Sequence, residues 1–196
     1  MTEPTKARGR PRNPLFDEAI LETTRAALVD AGYARLSIEG IARQSRVAKT
    51  TVYRRWPSKA VLVWDAVFGT VVAETILPDT GTLQEDLTRL VAEIAGVLGS
   101  PVARAAMPGL LTDFTSADPL RQVVQQSFLS RARAQLVIPF ERAAERGELR
   151  PSASVPTALA ALVGGLFFRA TVSELNFDAA FVGELVALVT LGTAAS

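Results

Sequence analysis

The stretch Arg46 to Lys59, RVAKTTVYRRWPSK, carries small hydroxyls, one tyrosine and a close set of positive charges, and it contains no acid. Together with the residues before it, it decides the fold. Ser37 is placed to cap a short helix, with Glu39 in its first turn and Ile38, Ile41 and Ala42 on its buried side. Ser45-Arg46-Val47 reads as a tight turn. A second helix follows from about Ala48 to Arg55, and Pro57 breaks it. Ala42 is small where two helices must approach, and Val47 and Val52 can point into a small core. Lys49, Thr50, Tyr53, Arg54 and Arg55 are then left outside. Two short helices joined by a three-residue turn describe a helix-turn-helix. The start of the second helix can enter a DNA major groove, about 12 Å wide. Threonine suits a base edge or a thymine methyl, lysine and arginine suit guanine O6 and N7, and a tyrosine hydroxyl can reach a phosphate.

The totals agree with a binding protein more than with an enzyme. The 196 residues are 48% apolar and 21% charged, a folded-protein profile. There is no cysteine and no histidine. That removes thiolate chemistry, the commonest general base and the commonest transition-metal ligand, so no catalytic residue, metal or cofactor is expected. The pair Glu141 and Glu145 lies at i,i+4 beside Arg142 and Arg146 and reads as surface ion pairing. The N-terminus is charged and proline-rich, unlike a signal core. The longest apolar run, residues 158–168, is about half of what a membrane helix needs. A cytoplasmic protein without membrane contact is expected. Charge is divided unevenly: residues 1–60 hold 12 Lys/Arg and 6 Asp/Glu, whereas residues 61–196 hold 9 and 14. A basic head on an acidic body points to a polyanion partner for the head.

Working outward, residues 1–12 form a basic arm with few apolar groups, expected to lack structure alone. Its centre, Arg8-Gly9-Arg10-Pro11-Arg12, resembles the core of an AT-hook, a narrow segment suited to a minor groove. Asn13-Pro14 starts a first helix that Gly32 ends. Ser58 caps a fourth helix, with Lys59 in its first turn, where the macrodipole disfavours a cation and a phosphate would offset the cost. Further helices follow Pro78 and Gly81, open at Pro101, start at Asp118-Pro119 and end at Gly147, and are capped by Ser154 and Asp178. No strand shows sustained alternation. The predicted fold is all-α, with about nine helices: a three-helix helix-turn-helix head (13–60) on a helical effector-binding and dimerisation body (61–196).

The segment SIEGIARQSRVAKTTVYRRWPSKAVL resembles the DNA-binding head of the TetR/AcrR transcriptional regulators. The matching features are Gly-Tyr after the first helix, Ser-Ile-x-x-Ile-Ala, Thr-x-Tyr and aromatic-Pro-Ser-Lys. The resemblance is strong over residues 13–65 and rests beyond residue 70 on length and helical pattern. It implies that Lys49, Thr50, Tyr53 and Arg55 face the groove, that Thr51 and Lys59 contact the backbone, and that Ser37 sits near a phosphate. Arg46 stands where the family turn has glycine, so positive φ would strain it, unless it adds a phosphate contact. Ala48 stands where a serine or threonine often caps the recognition helix, forgoing roughly 1 kcal/mol.

A helix-turn-helix usually acts as a dimer on a palindrome, so a homodimer on double-stranded operator DNA is expected. The last two helices are the candidate interface: Leu159, Leu162, Val163, Leu166 and Phe167 on one, Phe181, Leu185, Leu188 and Val189 on the other. Gly164-Gly165 costs helix stability, about 1 kcal/mol each, and suits closely packed backbones. The resemblance also implies a pocket for a small effector, with Trp64, Phe68, Met107, Leu111, Phe114, Gln125, Phe128, Phe168 and Arg169 as candidate lining. Their chemistry suits an apolar or aromatic molecule. The expected protein is a ligand-responsive regulator, most simply a repressor; the alternative is a regulator without a small-molecule ligand that acts through a protein partner.

Overall fold

A computed structural model describes residues 14–74, 79–116, 122, 129–172 and 177–195. Nine helices are formed among the described residues: α1 (Pro14–Arg35), α2 (Ile38–Gln44), α3 (Lys49–Arg55), α4 (Lys59–Glu74), α5 (Leu83–Leu98), α6 (Pro101–Ser116), α7 (Leu129–Glu145), α8 (Val155–Thr171) and α9 (Ala179–Thr193). No strand occurs among them; one isolated antiparallel bridge pairs Leu149 with Ala194. No single described helix is long and apolar enough to cross a membrane.

Where residues are described the expected punctuation is present; Asn13, Pro78 and Asp118-Pro119 lie outside the described residues. Gly32 interrupts α1 at φ 75°, and the last residues of that helix resume in a new direction. Ser37 accepts from the Gly40 amide at 3.1 Å to start α2. Ser58 accepts from Val61 at 3.2 Å to start α4. Thr82, Ser154 and Asp178 cap α5, α8 and α9 through their side chains. Each cap satisfies an amide that the helix itself leaves without a partner.

Helix α5 is the hub of the body and touches α4, α6, α7, α8 and α9. Leu83, Leu87, Leu90, Val91, Ala95 and Leu98 line its buried side. Its first turn also holds a buried carboxylate, Asp86, which accepts from the Thr80 amide at 2.9 Å and hydroxyl at 2.7 Å. Glu148 accepts from the Leu83 amide at 2.7 Å, and its own carbonyl accepts from Ala195 at 2.8 Å. The foot of α5 and the end of α9 are thereby tied to the turn before α8.

Head and body meet through α1, which packs on α4 and α6. Tyr33 lies between them. Its hydroxyl donates to Asp113 of α6, its carbonyl accepts from Lys59 Nζ at 3.2 Å, and that ammonium lies 4.2 Å from its ring centroid. Gly109 of α6 permits the approach, because a methyl group there would overlap the Tyr33 ring. Burial pushes the Tyr33 phenol up, and the bond to Asp113 acts in the same direction.

Two expectations about the body change. Leu159, Leu162, Leu166, Leu185 and Val189 are buried in the chain's own core, and Phe181 is half-buried. Of the nine residues expected at a dimer interface, Val163, Phe167 and Leu188 face outward. The reason is that α8 is apolar nearly all round, so its periodicity does not say which side turns inward. Gly165 does mark a close approach, but within the subunit: a Cβ there would lie 3.0 Å from Leu185 Cδ1, whereas one at Gly164 would meet nothing. Phe168, expected to line a pocket, is 60% exposed.

Candidate nucleic-acid interface

The head is assembled on one buried residue of α3. Val52 is completely buried and belongs to the same hydrophobic core as Ile20, Leu28, Leu36, Ile38 and Ile41. Val47 lies half-buried against the same core. The turn before α3 closes with Val47 N donating to Ala42 O at 2.9 Å and Arg46 N to Arg43 O at 3.2 Å. Arg46 takes φ 56° there, as expected where glycine is usual. Ala48 begins α3 without a side-chain cap, also as expected. At the other end Trp56 is buried, and its Nε1 donates to Asp65 of α4 at 2.8 Å. This bond fixes the exit of α3 on the body.

With Val52 pointing inward, Lys49, Thr50, Tyr53 and Arg54 are exposed on the opposite side, and Thr51 lies half-buried. Ser37 and Arg46 are also exposed. Arg43, Arg46 and Arg54 have no acidic partner among the described residues. One surface therefore carries hydroxyls, a tyrosine and arginines at the spacing of a groove-entering helix. Arg8, Arg10 and Arg12 lie outside the described residues.

Arg55 differs from the expectation. Its side chain is 17% exposed and ion-paired with Asp17 of α1, so it braces the head instead of standing in the groove face. Lys59 is half-buried over Tyr33, which absorbs part of its charge at the head–body junction. The stretch 46–59 lacks acids of its own, yet acids from elsewhere reach it. Glu39 of α2 pairs with Lys49 at 2.5 Å and accepts from the Tyr53 hydroxyl at 3.3 Å. Its bond from Lys49 holds the Glu39 carboxyl below the usual carboxylate range. Asp17, Glu39 and Asp65 were not singled out as partners of this stretch because they are distant or on another helix. Only folding brings them to it.

Residues 20–65 match the family model "Bacterial regulatory proteins, tetR family", and residues 77–189 match "Tetracyclin repressor-like, C-terminal domain". The chain belongs to the TetR family. An uncharacterised HTH-type transcriptional regulator of Mycobacterium tuberculosis is 31% identical over 172 residues, 86% of this chain and 84% of that protein. A protein described as the DNA-binding transcriptional repressor TetR, from Mycobacteroides abscessus, is 30% identical over 190 residues, 92% of each chain. Among solved structures, the TetR family transcription regulator SCO0332 superposes with a TM-score of 0.74 at 29% identity, covering 90% of this chain and 97% of that one. All three are described as transcriptional regulators. The TetR-type head is what α1 to α3 build here.

The effector candidates are placed as follows. Trp64 and Phe68 of α4 stack tilted with ring centroids 4.5 Å apart. Met107 of α6 is buried, and Leu111 and Phe114 are half-buried. These five lie on two helices that touch. Arg169 lies elsewhere, with its guanidinium 4.1 Å over the Phe181 ring and 3.9 Å from Asp178. Gln125 and Phe128 lie outside the described residues. Two clefts lined by described residues include none of the nine. One, about 230 Å³, is at the foot of α8 and α9 beside Arg150 and Thr157, and the other, about 340 Å³, is between α1 and α2 beside Asp30 and Arg43.

Proposed function

We propose that this TetR-family regulator is a homodimeric repressor that binds a palindromic operator and is released from it by a small apolar or aromatic effector. The observation that carries the reading is the exposed face of Lys49, Thr50, Tyr53 and Arg54 on α3, held outward by the buried Val52. Thr50 and Tyr53 read or frame bases, Arg54 and Arg46 contact phosphates, and the basic arm with Arg8, Arg10 and Arg12 follows the adjacent minor groove. A pair of such heads fits two half-sites when their recognition helices stand about 34 Å apart. An outward apolar strip on α8 and α9 supports pairing of the two bodies. A bacterial DNA-binding protein of this kind works in the cytoplasm.

The effector side of the reading rests on α4 and α6. Trp64, Phe68, Met107, Leu111 and Phe114 supply aromatic and apolar surface on the two helices that also hold α1. A ligand that prefers one spacing of the heads shifts the equilibrium by its differential affinity for the two states. The test is operator affinity with and without small aromatic compounds shown to bind the body by calorimetry. A loss of about tenfold or more on binding is expected, the ordinary range of allosteric coupling. Unchanged operator affinity with the compound bound would overturn release by a ligand and point to a regulator acting through a protein partner.

A further inference from the structure

We infer that Glu39 is a specificity-determining residue: an internal counter-ion that restrains Lys49 and so favours cognate over non-specific DNA. The inference rests on the DNA-binding reading above. Glu39 lies in the first turn of α2, exposed beside the start of α3. Its carboxylate meets Lys49 at 2.5 Å and receives the Tyr53 hydroxyl at 3.3 Å, while Lys49 Nζ lies 5.4 Å from the centre of the Tyr53 ring. Two groups that face DNA are thus gathered on one acid before any DNA arrives.

The start of α3 explains why an acid is useful there. Ala48 offers no side-chain cap, and Lys49 places a cation at the positive end of the helix. Glu39 supplies the missing negative charge from the neighbouring helix. A DNA phosphate would supply it equally well, so phosphate and Glu39 compete for Lys49.

That competition acts unequally on two kinds of DNA. Non-specific binding is mostly phosphate neutralisation. Any phosphate that takes Lys49 leaves the Glu39 carboxylate without its cation, held only by the Tyr53 hydroxyl, beside a polyanion. At a cognate site Lys49 exchanges the carboxylate for base acceptors, and the carboxylate can accept from a cytosine amino group in the major groove. The penalty then falls on non-specific DNA.

The experiment compares the full chain with Glu39→Gln, both checked by thermal melting, on two duplexes. One is a scrambled duplex, and the other is the sequence that the wild-type protein enriches most from a random pool. In the variant the scrambled duplex binds about two- to fivefold tighter at low salt, the range of an exposed ion pair. Its salt dependence steepens by up to about one unit. The enriched duplex gains less or loses affinity, so the ratio between the two falls. Glu39→Asp keeps the wild-type ratio, and adding Lys49→Gln to Glu39→Gln abolishes the gain. Unchanged affinity and slope on the scrambled duplex, or an equal gain on both duplexes, would overturn the inference. A wild-type protein that enriches no sequence would instead refute the regulator reading, and the scrambled duplex with its Lys49 control would still decide whether Glu39 restrains Lys49.

Discussion

Arg46 holds the turn between α2 and α3 at φ 56°, a conformation that a side chain with a Cβ adopts at a cost. Two residues later, Ala48 leaves the first amides of α3 without a side-chain acceptor. Both departures from the usual head were visible in the sequence, because each concerns a residue's own backbone and not its neighbours in space. Arg46→Gly is expected to stabilise the protein by about 1 kcal/mol through relief of the left-handed strain. Ala48→Ser is expected to add about 1 kcal/mol through a new cap. Denaturant midpoints at constant slope check both; no rise in either variant would contradict the local account. The partners of Arg55 and Lys49 were not legible in the same way. Asp17 and Glu39 reach those cations across the head, and no spacing rule along one helix joins them.

At the scale of elements, the order of helices and most of their caps were readable, since Gly, Pro, Ser and Asp act locally. Helix α6 shows what was not. Gly109 and Asp113 look unremarkable in PVARAAMPGLLTDFTS, yet they receive Tyr33 from α1 and fasten the head to the body. Gly109→Ala is expected to push the ring away and break the bond to Asp113. The chain has two tyrosines, so the consequence can be followed by tyrosinate absorbance. In the wild-type protein one component is expected to ionise above the ordinary value of about 10, and Tyr33→Phe is expected to remove it. In Gly109→Ala that component moves down toward the ordinary value. Because the folded value is raised, this contribution to stability is fully present below the unfolded value and is lost as pH rises through the folded one. The difference in stability between wild type and Gly109→Ala is therefore widest near neutral pH and narrows in strong alkali. An unmoved titration would show that Gly109 does not set the position of Tyr33.

For the whole molecule, the all-helical plan was legible from motif and pattern. The faces of the last two helices were not. α8 offers apolar residues on every side, and burial inside the subunit claimed Leu159, Leu162 and Leu166. What remains outward is Val163, Phe167 and Phe168 on α8 and Val172 just past its end, with Leu188 68% and Leu191 80% exposed on α9. This strip is the surface through which a second copy is expected to pair. Leu188→Glu with Leu191→Glu is expected to yield a monomer in sedimentation, with unfolding of the isolated chain changed by only about 0.5 kcal/mol because both sites are exposed. A dimer that survives both charges would place the interface elsewhere. The most direct test of the central claim, that α3 reads DNA through its exposed face, is selection of binding sites from random duplexes. The wild-type chain is expected to enrich a palindrome with half-sites about one helical turn, some 34 Å, apart or a multiple of it, and Thr50→Ala with Tyr53→Ala is expected to abolish the enrichment while the protein stays folded. Enrichment of no sequence, or of the same palindrome by the variant, would contradict it.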